Sequence, residues 1–218
     1  FKEGIAKSNI QLGIAFTNLG KYNEALNYLS LGLEVAQSIS NKNVIAEAYN
    51  HIGAIYGSQG NYQEAFKNYF QALKMFEETG DQNGKANAYH NIAAAYAEQN
   101  KYTEAFKYNS LSLTIKQEIN DRTGVATCFL SFGELHRNQN NYPEALDNYL
   151  QALKIYEDSG DKRGVGMANS NIGLIYHSLG RYEEALRNYA GALKMFEETG
   201  FKRGVAVCNE HIGLIYSL

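Results

Sequence analysis

The chain has 218 residues, 44% hydrophobic and 20% charged, a balance that allows a sizeable core and excludes the disordered, collagen-like and membrane-embedded classes. A net charge of −3 without any Lys/Arg run argues against nucleic acid, whose phosphates need clustered cations. Twenty glycines accompany a single proline, Pro143, so the glycines punctuate structure rather than form a flexible linker.

Self-similarity organises the rest. Tyr22, Tyr62, Tyr102, Tyr142 and Tyr182 recur every 40 residues, and Ala25, Ala65, Ala105, Ala145 and Ala185 keep the same step. Within one unit, Ala48, Ile52, Ile55 and Tyr56, and then Tyr62, Ala65, Phe66, Tyr69, Ala72, Leu73 and Phe76, fall at helical spacing, so each unit is two helices. In chain order the predicted hairpins occupy 1–40, 41–80, 81–120, 121–160 and 161–200, with one additional helix in 201–218 starting near Arg203. Breaks inside the hairpins fall at Gly20, Gly60, Asn100, Asn140 and Gly180, residue types that tolerate a left-handed helix end. Breaks between hairpins fall at Ser40, Gly80, Asn120, Gly160 and Gly200; Asn41, Asp81, Asp121 and Asp161 follow as N-cap candidates. Pro143 sits just after Tyr142, in a first turn that tolerates it.

One hairpin cannot hide its apolar face alone, so the chain is expected to stack as a single array over 1–218. Ala65 and its equivalents, with Gly53, Gly133, Gly173 and Gly213, mark places where helices approach closely; Ala93 takes that place in one repeat. Cys128 and Cys208 lie two repeats apart. Stacked layers of roughly 8–10 Å would hold them beyond disulfide reach, and the absence of an N-x-[ST] sequon also points to a reducing cytoplasm. No apolar stretch approaches the ~18 residues of a spanning helix, and no secretory segment opens the sequence, so no membrane contact is expected.

Ile52-Gly53-Ala54-Ile55-Tyr56, followed by Gly60, Tyr62, Ala65, Tyr69 and Ala72, resembles the tetratricopeptide repeat signature, and related runs cover nearly the whole chain. The family's usual period is about 34 residues; the longer form here is similar to Pins-type adaptors, kinesin light chains and bacterial regulatory arrays. The resemblance implies an all-α, right-handed superhelical solenoid of antiparallel helix hairpins. It also implies a concave groove, lined by the first helix of each hairpin, that takes a protein or peptide ligand.

In the family's register that groove is lined by Asn50, His51, Asn87, His90, Asn91, Thr127, Glu134, Arg137, Ser170, Asn171 and His177, with Lys7 and Glu47 near one end. Asn91 and Asn171, with Gln11, His51, Ser131 and His211 at matching sites, form a polar row similar to the asparagine ladder of some long arrays. An amide both donates and accepts, and so pairs with peptide backbone whatever its side chains. The basic clamp of chaperone-tail adaptors is missing, because Ile10, Asn50, Asn87 and Ser131 occupy its places. Glu47, Glu98, Glu134 and Glu210 outnumber Lys7 and Arg137, which suits a mixed or mildly basic partner.

Catalytic patterns are not evident. Glu77-Glu78 and Glu197-Glu198 are sequence neighbours near helix ends, and His51, His90, His136, His177 and His211 lack zinc spacing. Gly80-Asp81-Gln82-Asn83-Gly84-Lys85-Ala86 is one residue short of a phosphate loop and recurs at Gly160 as a repeat junction. No enzyme activity, metal or cofactor is expected. The expected function is a binding scaffold or adaptor, with a sensory or regulatory region of a larger signalling protein as the alternative. The last helix lacks a polar capping partner, so self-association through that end is a further expectation.

Overall fold

Among the described residues ten adopt the left-handed region, and each closes a helix. Six are glycines with φ between 68° and 75°; Ser40, Asn100, Asn120 and Asn140 hold the same conformation at 53° to 60°. All ten break positions expected from the sequence are thereby accounted for. The computed structural model describes residues 1–217. Among them the helices are α1 (Lys2–Asn18), α2 (Tyr22–Ser38), α3 (Lys42–Ser58), α4 (Tyr62–Thr79), α5 (Gln82–Ala97), α6 (Tyr102–Glu118), α7 (Arg122–Asn138), α8 (Tyr142–Ser159), α9 (Lys162–Ser178), α10 (Tyr182–Glu198) and α11 (Lys202–Tyr216).

The starts are fixed as cleanly as the ends. Asn41, Asp81, Asp121 and Asp161 each accept a hydrogen bond from the amide three residues on, at 3.3 Å for Val44 and 2.9 Å for Gly84, Gly124 and Gly164. Asn61 does the same for Glu64, inside a hairpin. Pro143 lies in the first turn of α8, where a missing N–H costs nothing. At the last junction Phe201 replaces the acid, and it packs edge-on against Phe196 with Arg163 stacked over its ring at 4.1 Å.

The chain forms two compact units, Phe1–Ile115 and the segment from Lys116 onward. In the first, Ala6, Ile10, Ala25, Leu29, Val44, Ile52 and Ile55 make a buried core across α1–α3. Further along, Ala65, Tyr69, Ile92 and Ala95 join α4 to α5. In the second, Ala126, Leu130, Ala145, Tyr149, Ala152, Tyr156, Ala168, Ile172 and Ile175 unite α7, α8 and α9. Cys128 and Cys208 are both buried free thiols. Glu78 and Glu198, each half of a sequence-neighbour acidic pair, form surface ion pairs at 2.7 Å with Lys42 and Lys162. Their carboxyls are held below the usual range by those lysine hydrogen bonds.

Helix α6 departs from the repeat. Asn109 stands where Tyr69, Tyr149 and Tyr189 stand elsewhere, Ser112 replaces Ala72, Ala152 and Ala192, and Lys116 replaces Phe76, Tyr156 and Phe196. All three polar side chains are buried. Lys116 Nζ meets Asp121 Oδ2 at 2.7 Å, so the N-cap acid of α7 also neutralises a lysine at a core position. The division between the units falls within this helix.

The tyrosines that replace Asn109 carry their own cost. Tyr149 and Tyr189 are fully buried, and neither hydroxyl has a hydrogen-bond partner among the described residues. Burial pushes both phenols up from their ordinary pKa. Tyr149→Phe removes a desolvated, unpaired hydroxyl without changing ring packing, and should raise unfolding free energy by about 1 kcal/mol. A lowered urea midpoint in that variant would mean that the hydroxyl is satisfied in solution.

Candidate functional site

Residues 47, 50 and 51 of α3 share one helix face, and residues 87, 90 and 91 repeat that spacing on α5. With Gln11 of α1 they surround a cavity of about 460 Å³. Phe76, at the end of α4, forms its apolar base. Its ring fits beneath α5 because Gly84 carries no side chain: a Cβ there would collide with the ring. Asp81, the N-cap of α5, and Asn83, in its first turn, complete the wall. Thus Glu47, Asn50, His51, Asn87, His90 and Asn91, six of the groove residues expected from the sequence, come together in one concavity.

Two amides are joined inside it. Asn91 Nδ2 donates to Asn50 Oδ1 at 3.0 Å, linking one hairpin to the next. Asn50 is 7% exposed, and this bond is what offsets the burial of its carbonyl oxygen. Burial pushes the Glu47 carboxyl up from its ordinary value; nearby Lys7 counters this, and the Asp81 charge adds to it. The His51 imidazole is pushed down by burial, so it is neutral at neutral pH. Lys7 itself is exposed and paired with Glu3 at 2.7 Å.

A second cavity, about 640 Å³, opens on the other side of Asn91. It is walled by Ala54, Gly57, Tyr69, Ala94 and Glu98, and Asn91 lines both cavities. Its origin is missing side-chain volume. Gly57 stands where other repeats have Thr17, Arg137 and His177, and Ala54 and Ala94 stand where they have Ile14, Glu134 and Leu174. The sequence reading placed Asn91 and Glu98 in the groove but not this hollow. Comparing residue volumes at equivalent positions would have revealed it.

The candidates of the second unit are differently engaged. Thr127 Oγ1 bonds the Thr123 carbonyl at 3.0 Å and meets the Tyr156 hydroxyl at 3.1 Å. Glu134 and Arg137 pair with each other at 3.5 Å on the same helix face. Arg137 Nε is buried with no partner among the described residues. Ser170 hydrogen-bonds the Cys208 thiol, and His177 packs on the Tyr182 ring at 5.8 Å, at the α9–α10 turn. Asn171 is half-buried on α9. In the polar row, Ser131 bonds the Thr127 carbonyl and His211 stacks on Tyr189 at 5.1 Å.

Residues 4–78 and 84–158 match the sequence profile described as Tetratricopeptide repeat, and residues 130–198 match a second profile of the same description. The chain belongs to the tetratricopeptide repeat family. No curated protein matches it. Solved tetratricopeptide-like structures do. Aspartyl phosphate phosphatase F from Bacillus subtilis superposes with a TM-score of 0.81 at 13% identity, over 95% of this chain and 54% of its own. A Rap protein complexed with competence and sporulation factor gives 0.82 at 15% identity, over 96% and 63%. A signal transduction ATPase with a tetratricopeptide repeat sensor, from Pyrococcus horikoshii, gives 0.75 at 19% identity, over 93% and 31%. The chain therefore spans less than two thirds of each of these three proteins. At these identities the likeness is one of fold. Among the described residues no group of His, Cys, Asp and Glu is arranged to hold a metal ion, and no helix is long and apolar enough to cross a membrane.

Proposed function

We propose that this tetratricopeptide repeat chain is a non-catalytic binding module that captures an extended peptide or protein segment on the α3–α5 face. One observation carries the reading: the Asn91–Asn50 amide pair sits where the two cavities meet, and Asn91 lines both. A peptide main chain presents a donor and an acceptor at every residue, and amide side chains answer both without reading sequence. Asn171, half-buried on α9, is a further contact point within the second unit. Two buried free thiols favour a reducing, cytoplasmic setting.

Replacing Asn91 with Ala should weaken binding of a peptide ligand about tenfold or more, roughly 1.4 kcal/mol, with helicity unchanged. Fluorescence anisotropy with a labelled ligand reads the loss, and circular dichroism checks the fold. Equal affinity in the variant would place the groove elsewhere.

A second reading, a sensory or regulatory region of a larger signalling protein, is favoured by the similar structures. They include a phosphatase and a sensor-bearing ATPase, each longer than this chain. In that case the captured segment is the signal. Exposed Val207, Leu214 and Tyr216 on α11 support a further contact at that helix, with another molecule or a second copy. Sedimentation across a concentration series distinguishes the two.

A further inference from the structure

The cavity between α1, α3 and α5 has an unbalanced lining. Glu47 and Asp81 face it, and no lysine or arginine does. Lys7, whose charge also acts on Glu47, does not line the cavity and has its ammonium 2.7 Å from Glu3, and Lys85 on α5 is paired with Glu77 at 3.3 Å. The other titratable groups of the lining are the imidazoles of His51 and His90. Asp81 spends Oδ1 on the Gly84 amide, and no ion pair involves either carboxylate among the described residues. Asn50 adds a hydrogen-bond donor beside the two carboxylates. It is more than nine-tenths buried and its oxygen is taken by Asn91, yet its Nδ2 has no partner among the described residues, and the side chain lines the cavity. Nδ2 is not among the buried atoms that lack a partner, so it opens onto the cavity and can donate to an acceptor that enters it.

We propose that this cavity is a subsite for one cationic side chain, arginine or lysine, of the bound peptide, with Asn50 Nδ2 donating to a main-chain carbonyl beside it. This rests on the peptide-binding reading above and adds to it the chemistry of one ligand position. The bound cation lies between Glu47 and Asp81, while the aliphatic stem of the side chain covers the Phe76 ring. Two carboxylates that repel each other across a partly desolvated hollow are relieved by a positive charge, and the gain is larger than at an open surface. A neutral His51 adds no opposing charge and offers a ring nitrogen as acceptor.

The test starts from random dodecapeptides displayed on phage and selected on the full chain. A selected peptide is then resynthesised with its arginine changed to citrulline, or its lysine to norleucine. Affinities are measured for the chain itself and for the Glu47→Gln, Asp81→Asn and Asn91→Ala variants. Asn remains a good N-cap, so Asp81→Asn preserves the start of α5. The expected result is enrichment of one cationic residue, and a tenfold or greater loss when it is neutralised. Glu47→Gln should bring a comparable loss for the cationic peptide and little further loss for the neutral one. Peptides that depend on Asn91 but bind equally well as citrulline or norleucine forms, or equally well to Glu47→Gln, overturn the cation subsite and leave the groove standing. No selected peptide at all, or none that depends on Asn91, overturns the groove and the subsite with it.

Discussion

Asp121→Ala should be among the most damaging single changes in the molecule, lowering unfolding free energy by about 3 kcal/mol. Two losses combine. The α7 N-cap disappears, a change usually worth about 1 kcal/mol, and Lys116 keeps its charge at a core position without the carboxylate that neutralised it. The lysine side chain is 8% exposed and the aspartate 32%, so most of the penalty falls on the lysine. Lys116→Met, by contrast, removes the buried charge and leaves a half-exposed carboxylate that still caps α7. It should change stability by no more than about 1 kcal/mol. Urea unfolding of the two variants beside the parent measures both, and equal midpoints for Asp121→Ala and the parent would rule the buried pair out as a source of stability. The pair also sets a pH response. Burial pushes the Asp121 carboxyl up, but the Lys116 and Gly124 hydrogen bonds and the Lys116 charge outweigh it, and the net shift is downward. Its folded pKa is below the unfolded one, so its contribution is complete above the unfolded value, about 3.9, and is lost as pH falls through the folded value.

The second large effect comes from equivalent glycines with opposite expected signs. At Gly133 a Cβ would collide with the Tyr149 ring, which is fully buried and has no room to swing away. Gly133→Ala should therefore cost about 2–3 kcal/mol through overpacking. At Gly213, in the corresponding place on α11, nothing lies within 4 Å of such an atom. Gly213→Ala should stabilise the helix by up to about 1 kcal/mol, because alanine loses less backbone freedom on folding. Thermal unfolding of both variants checks the pair. A destabilised Gly213→Ala would mean that α11 is covered in solution. Close approach at Gly53, Gly133 and Gly173 was expected from the sequence and is found, with the Tyr69, Tyr149 and Tyr189 rings as the partners. Gly213 is the exception: among the described residues no atom would meet a Cβ there.

What the sequence revealed follows from what a period averages. Left-handed breaks, Asn and Asp N-caps and the Ala core positions recur, so each repeat corroborates the others, and all of them stand in the structure, whereas the recurring Tyr22-type positions are only half-buried and Tyr182 is exposed. Asn109, Ser112 and Lys116 were missed for the same reason: a strong period invites reading α6 as one more copy. Six of the thirteen groove candidates meet in the cavity because Glu47, Asn50, His51 and the α5 residues Asn87, His90 and Asn91 share one face of consecutive first helices, as the family resemblance implies. Thr127, Ser170 and His177 occupy similar faces, yet their polar atoms or rings find partners in Tyr156, Cys208 and Tyr182, and which neighbour satisfies a side chain is decided by packing between helices. The larger cavity escaped notice because it is made by side chains that are absent.

Asn91 has the valence of any primary amide, two N–H hydrogens and one carbonyl oxygen, and one hydrogen is committed to Asn50. What is left, a single hydrogen and the oxygen, is the complement of one peptide unit. Two unrelated guests, one per hollow, would contend for that remainder, whereas a strand threaded through both would use it once. Filling either side therefore bears on the other, and saturation should follow a one-to-one stoichiometry.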